Sequence, residues 1–209
     1  MPLLLLIRHG ENDYVKKGRL AGRLPGVHLN EHGRQQAQAV ADSLAARLAE
    51  SPVKAIYSSP LERAIETAQP IAKALGKEII LEPGLIEVDI GEWQDKTLKS
   101  LRRLKVWKIV QGAPSRFHFP AGESFAEAQL RICSTLESLV HDCAEKESVI
   151  CVSHSDPIRL AVAYFLGLPL DFFQRLQVSP ASITCLQIDD RFSRLLSLNI
   201  DLSFTLPKA

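Results

Sequence analysis

The stretch Leu3-Leu4-Leu5-Leu6-Ile7-Arg8-His9-Gly10-Glu11 decides how the rest of this chain is read. Five consecutive apolar residues describe a strand buried on both faces, as in a parallel sheet. Arg8, His9 and Glu11 then fall where the strand stops and a loop begins. In open α/β sheets, ligands bind outside the carboxyl ends of the strands. A guanidinium next to an imidazole at such a place suggests a phosphate clamp beside a nucleophile. Taken alone, these four residues are equally compatible with a charged surface loop.

Working outward, strand and helix patterns alternate along the chain. Asn12 to Asn30 holds three glycines and a proline and reads as a long loop. Arg34 to Glu50 places Ala37, Val40, Ala41, Leu44 and Leu48 at helical spacing. Val53 to Tyr57 is a short strand. Ser59 with Glu62 then reads as a capping box, Pro60 as the first helical position and Gly76 as the stop of a helix ending near Leu75. Glu78 to Leu81 is a further strand, Glu82 to Asp95 a loop, Lys96 to Gln111 a basic amphipathic helix and Gly112 to Gly122 a connection. Glu123 to Glu145 is a long helix and Ser148 to Val152 a strand. Ser153-His154-Ser155-Asp156 opens a helix ending near Gly167. Ser182 to Ile188 and Leu195 to Ile200 form a hairpin around Asp189-Asp190-Arg191. The expected fold class is α/β, a three-layer α/β/α sandwich on a mostly parallel central sheet. One domain is expected over residues 1–209, with an insertion or cap at about 87–122.

Composition narrows the partners. The chain has 209 residues, 46% of them apolar, and 25 Lys plus Arg against 24 Asp plus Glu, for a net charge of +1. That leaves no basic footprint for nucleic acid or an anionic membrane, so anion affinity must be local. No stretch approaches the roughly 20 apolar residues that cross a bilayer, and Leu3 to Ile7 is too short for a signal segment. Cys133, Cys143, Cys151 and Cys185 are widely spaced, with no C-x-x-C pair, and read as reduced core thiols. A cytoplasmic protein is expected. Its oligomeric state is open, a homodimer included.

Two strand ends deliver a histidine in the same way, at Arg8-His9 and at Ser153-His154, and a third delivers Ser58-Ser59 with Arg63 on the helix that follows. If those strands are parallel, the side chains converge on one edge. Two arginines and two histidines suit a tetrahedral dianion: arginine forks match phosphate oxygens, and neutral imidazole can attack phosphorus.

The segments Leu6-Ile7-Arg8-His9-Gly10-Glu11, Leu29 to Ala37, Ser58 to Ala64, Glu87-Val88-Asp89-Ile90-Gly91-Glu92-Trp93 and Val152-Ser153-His154 together resemble the histidine phosphatase superfamily. That group includes phosphoglycerate mutases and many small phosphatases. The resemblance implies a phosphoglycerate mutase-like fold in which His9 is the nucleophile that becomes phosphohistidine. It implies that Arg8, Arg63 and His154 hold the transferring oxygens. Glu87 would be the general acid and then the base for water, with Asp89 and Glu92 near enough in sequence to compete for that role. No metal or other cofactor is implied. A main-chain N–H at Ser155 or Asp156 would add a donor to phosphate, and Glu11 would support the loop rather than touch substrate. His28, His32, His118 and His141 read as solvated or structural.

The chain also departs from the family pattern. Asn12 follows Glu11 where a Thr or Ser is common. Val15 occupies a position at which relatives carry an Asn, so Asn12 is the candidate phosphate-binding replacement. Arg102-Arg103 and Lys105 lie in the insertion without the mutase pattern around them and, with Lys99 and Lys108, read as a solvated basic face. Phe117, Phe119, Trp93 and Trp107 suit either a leaving-group wall or the core. The leading expectation is a phosphomonoester hydrolase acting on a small phosphorylated metabolite. The alternative is a phosphoglycerate mutase dependent on 2,3-bisphosphoglycerate, and a third reading is a non-catalytic phospholigand binder. Activity is expected to fall at low pH as an imidazole of ordinary pKa, about 6.5, takes up a proton, an effect that neighbouring arginines would move downward.

Overall fold

Leu3 to Ile7 contributes no polar side chain, so the strand needs apolar partners on both faces and hydrogen bonds along both edges. In the computed structural model, which describes residues 2–48, 52–141, 143–189 and 191–202, it has both. The strand β1 (Leu3–Arg8) is parallel to β4 (Ser148–Ser153) on one side and antiparallel to β5 (Ile183–Ile188) on the other. β2 (Val53–Ser58) and β3 (Ile79–Leu81) extend the parallel side, and β6 (Ser193–Ile200) pairs antiparallel with β5. The six strands run in the order β3-β2-β4-β1-β5-β6.

Side chains alternate across the sheet. Leu5 and Ile7, with Ile56, Ile150 and Val152, pack in one core with residues of α2 (Glu31–Arg47) and α3 (Glu62–Leu75). Leu4 and Leu6, with Val149 and Cys151, pack in the other with α6 (Phe125–His141) and α7 (Ser155–Phe165). The result is the expected three-layer α/β/α sandwich. Three short helices, α1 (Asp13–Lys16), α4 (Leu98–Leu101) and α5 (Trp107–Gly112), lie in the connections.

Several elements differ from the sequence reading. The Asn12 to Asn30 loop contains the single turn of α1, capped by the Asn12 side chain. α2 starts three residues before Arg34, because the Asn30 side chain accepts a hydrogen bond from the Gly33 N–H at 2.8 Å and caps it there. The expected helix end at Glu50 and the turn residue Asp190 lie outside the described residues. α3 begins at Glu62 rather than Pro60, with no side-chain cap, since the Ser59 hydroxyl is hydrogen-bonded to His154 instead. A reciprocal capping box does form at Ser124 and Glu127, and it opens α6. The expected helix from Lys96 to Gln111 is broken into α4 and α5. Leu101 and Val110 are both buried, yet they are about two and a half helical turns apart, so one straight helix would put them on opposite sides. The interruption turns both inward.

The motif glycines have a packing reason. A Cβ on Gly33, in the first turn of α2, would stand 2.0 Å from the Glu11 carbonyl oxygen, and one on Gly10 would stand 2.6 Å from the Gly33 carbonyl oxygen. The loop after β1 therefore touches α2 backbone to backbone. Gly33→Ala is expected to overpack this contact by roughly 1–3 kcal/mol and lower Tm by roughly 2–10 °C. An unchanged thermal midpoint would show that the contact does not hold the loop.

Candidate active site

Register brings the site together. Arg8 of β1 pairs with Ser153 of β4, and Ser58 of β2 pairs with Val152 of β4. The chain therefore leaves three adjacent parallel strands at His9, Ser59 and His154 along one edge. The rings of His9 and His154 lie with centroids 5.2 Å apart.

Each side chain is then fixed locally. His9 is buried, and its Nδ1 is 2.7 Å from the Gly10 carbonyl oxygen. A carbonyl only accepts, so Nδ1 carries the hydrogen and Nε2 keeps its lone pair. Burial, followed by Arg63 and Arg8, holds the His9 pKa well below its ordinary value, so the ring is neutral at physiological pH. The expected loss of activity near an ordinary imidazole pKa is thereby displaced to lower pH. In ring contact with it, His154 is fully buried, with Nε2 at 2.8 Å from Ser59 Oγ. Burial and the same arginines push its pKa down as well.

The two arginines are tethered through backbone carbonyls. Arg8 donates from Nη1 to Val178 O at 2.8 Å, and Arg63 from Nη2 to Gly22 O at 2.7 Å. Thr67 ties the Arg63 turn to the loop after β1, donating to Arg63 O and accepting from the Gly10 N–H. Burial lowers both guanidinium pKa values, that of Arg8 to about 10, which leaves them protonated at neutral pH. Arg8 Nε, Arg63 Nη1, Asn12 Nδ2 and His154 Nδ1 are buried with no hydrogen-bond partner in the protein. An unmet buried donor costs about 1–3 kcal/mol, and the oxygens of a phosphoryl group are suited to relieve it. Asn12 is held for this by its own oxygen, which caps α1 at the Val15 N–H and leaves the amide NH2 unpaired.

Arg8, His9, Asn12, Arg63, Glu87 and Ser155 line one cavity of about 480 Å³. His154, in ring contact with His9, is not among the wall residues. Ser155 and Asp156 open α7 onto the cavity, where N–H groups of a first helical turn have no intrahelical acceptor. Glu87 reaches the cavity, whereas Asp89 is occupied by the Gly91 N–H and Arg23, and neither Asp89 nor Glu92 is a wall residue. Surrounding protein atoms, then the Asp156 carboxylate, push the Glu87 pKa up to about 7 against the pull of Arg63. Its side chain still has partial solvent access, so the shift reflects crowding rather than complete exclusion of water. Glu11 lies off the cavity and accepts from Asn30 Nδ2. Val15 presents an apolar surface to the cavity. Arg102 is exposed, as expected of a solvated face, and also lines the cavity; Lys99, Arg103, Lys105 and Lys108 are exposed and are not wall residues.

Some supporting residues have no local signal. Glu123 Oε1 receives Arg23 Nη2 at 2.9 Å, Arg131 Nη2 at 2.6 Å and the Asp89 N–H at 2.9 Å. Arg23 also donates to the Glu87 carbonyl, and Arg131 to those of Gly84 and Ile86. This trio clamps the backbone on both sides of Glu87 although its members are far apart in sequence. Asp156 and Arg159, paired at 3.2 Å on α7, both face the cavity. Their signal was available, since Asp156 falls in the first turn of a helix that opens at a site strand and Arg159 follows it three residues on.

Comparison with known proteins agrees with this geometry. The profile of the histidine phosphatase superfamily (branch 1) matches residues 4–201. The chain belongs to that superfamily. Phosphoserine phosphatase 1 of Hydrogenobacter thermophilus is 32% identical over 96% of this chain and 93% of its own. A 2,3-bisphosphoglycerate-dependent phosphoglycerate mutase of Thermoplasma acidophilum is 33% identical over 95% and 92%. Among solved structures, a mycobacterial glucosyl-3-phosphoglycerate phosphatase in complex with VO3 superposes with a TM-score of 0.85 at 28% identity, covering 95% of this chain and 99% of that one. The phosphoserine phosphatase of Entamoeba histolytica in complex with 3-phosphoglyceric acid gives 0.82 at 30% identity, over 95% and 97%. This histidine phosphatase domain thus has both hydrolases and a mutase among its relatives.

The Glu87 environment can be tested without turnover. A carboxyl-carbon NMR titration is expected to place its midpoint near 7. Asp156→Asn removes a neighbouring negative charge and should move that midpoint down. A wild-type midpoint at the ordinary value of about 4.3 would remove Glu87 as a proton donor at neutral pH.

Proposed function

We propose that this chain hydrolyses a small phosphomonoester through a phosphohistidine formed on His9. The observation that carries the proposal is the pairing, in one cavity, of a neutral imidazole whose Nε2 lone pair is free with a carboxyl group that keeps its proton to about pH 7. The His9 Nε2 lone pair forms a bond to phosphorus as the bond to the ester oxygen breaks, and that oxygen takes the proton of Glu87. Glu87, now a carboxylate, accepts a proton from water. The water oxygen attacks phosphorus, the P–N bond breaks, and free His9, protonated Glu87 and inorganic phosphate result. Arg8, Arg63 and Asn12 hold the equatorial oxygens through their unpaired N–H groups, with Ser155 contributing its main-chain N–H. His154, fixed by Ser59, turns its unpaired Nδ1 to the same phosphoryl oxygens.

The cationic side chains supply the charge stabilisation, consistent with a family whose chemistry is generally metal-independent. Among the described residues no group of three or more His, Cys, Asp or Glu is placed to hold a metal ion, and no helix is long and apolar enough to cross a membrane. Cys133, Cys143, Cys151 and Cys185 form no disulfide among the described residues, which suits a cytoplasmic setting.

The mutase reading differs only in the final acceptor, and the 33% identity to a mutase favours keeping it. It would require 2,3-bisphosphoglycerate to phosphorylate His9. The two are separated by an enolase-coupled assay on 3-phosphoglycerate, with and without bisphosphoglycerate, run beside phosphate release from a panel of monoesters. Phosphate release is expected to dominate. Mutase turnover far above phosphate release would overturn the hydrolase assignment.

A further inference from the structure

The phosphoryl group occupies only one end of the cavity, and the remaining wall has a distinct character. Leu20, Ile90, Trp93, Trp107, Val110 and Phe119 line it. Its rings pack on one another within the protein. Trp93 stacks on Trp107 at 6.2 Å and 19° and meets Phe119 edge-on at 5.3 Å and 85°. Leu20 is tied to the stretch that follows Trp93 by backbone hydrogen bonds: Leu20 N to Lys96 O, Asp95 N to Leu20 O, and Leu98 N to Gly18 O, all at 2.8–2.9 Å. The cavity's volume of about 480 Å³ falls in the range that takes drug-sized ligands, well beyond the body of a serine or a glycerate.

The charges along this wall are largely committed. Arg19 is paired with Asp95 at 2.6 Å and Arg159 with Asp156 at 3.2 Å. Arg102 forms no ion pair among the described residues, and it is exposed at the end of α4. A compact zwitterionic or carboxylate body would find little beyond the exposed Arg102 for its charge along this wall. It would also leave uncovered the half-buried Leu20 and Trp107, which the packed rings of Trp93 and Phe119 back.

We propose that the alcohol half of the substrate is a ring-bearing, largely apolar body that lies against Trp93, Trp107 and Phe119. This rests on the phosphomonoesterase reading and adds the class of leaving group to it. Because the wall is already ordered, contact with a ring is gained with little ordering entropy. Discrimination of on the order of tenfold or more is the size expected from covering one ring in an apolar pocket.

The test compares alkyl esters, so that leaving-group basicity stays similar. Values of kcat/KM are measured for 2-phenylethyl phosphate, glycerol 3-phosphate, O-phosphoserine and 3-phosphoglycerate. The phenylethyl ester is expected to lead by about tenfold or more. Trp107→Ala should shrink that lead, mainly through KM. Both tryptophans of the chain are in the wall, which provides a measurement on the wild type that needs no variant. The non-hydrolysable 2-phenylethylphosphonate should inhibit and should change tryptophan emission saturably over the same concentrations. Equal or faster turnover of phosphoserine or phosphoglycerate, or inhibition with no change in emission, would overturn the proposal while leaving hydrolysis intact. If none of the esters released phosphate, the hydrolase reading itself would fall, and this proposal with it.

Discussion

The parallel register of β1, β4 and β2 is the constraint on which everything else depends. Because Arg8 stands opposite Ser153 and Val152 opposite Ser58, three chain segments end at the same height on the sheet. A slip of one residue would reverse the facing of every side chain in the slipped strand. It would turn Leu5 and Ile7 from the α2/α3 core to the α6/α7 core and break the ring contact between His9 and His154. The register is secured by apolar packing on both faces, well away from the chemistry. The site can therefore hold buried arginines and unpaired donors, which do not stabilise the fold, because the sheet beneath it is over-determined.

Electrostatic balance within the cavity follows from that placement. Burial first, and then the two guanidiniums beside them, hold both imidazole pKa values well below the ordinary range. The same arginines pull the Glu87 pKa down, yet crowding and Asp156 outweigh them and leave the carboxyl group with its proton. The order of proton affinity is thus the reverse of that in water: an imidazole that resists protonation stands beside a carboxyl group that holds its proton more tightly than the ring does. Perturbed pairs of this kind are a mark of catalytic sites. The Arg23–Glu123–Arg131 cluster serves the same end mechanically, holding the backbone around Glu87 against the cavity.

What could be read from the sequence was what is local. The apolar run Leu3–Ile7, the histidine after each of two strands and Arg63 in the first turn of its helix all lie within short windows, and the sandwich followed from their alternation with helices. Ser59 shows the limit. As sequence, Ser59 with Glu62 satisfies the pattern of a helix cap as well as Ser124 with Glu127 does, but the first hydroxyl is drawn away by His154, a partner remote in the chain. Thr67, Arg23 and Glu123 act only through contacts that folding creates. The break between α4 and α5 likewise arises because Leu101 and Val110 must both face inward, a demand set by tertiary packing rather than by helix propensity. Arg102 reaches the cavity from the end of α4 beside that break, so its position could not be read from a continuous helical face.

The central claim is that Nε2 of His9 carries the phosphoryl group between its two owners. Rapid mixing with a phosphomonoester, an alkaline quench that preserves N-linked phosphate, and peptide mass spectrometry measure this most directly. A phosphoryl adduct on His9 that is lost in acid and absent from His9→Ala is the predicted result. Steady turnover with no adduct on His9, or an adduct on another residue that persists in His9→Ala, would contradict it.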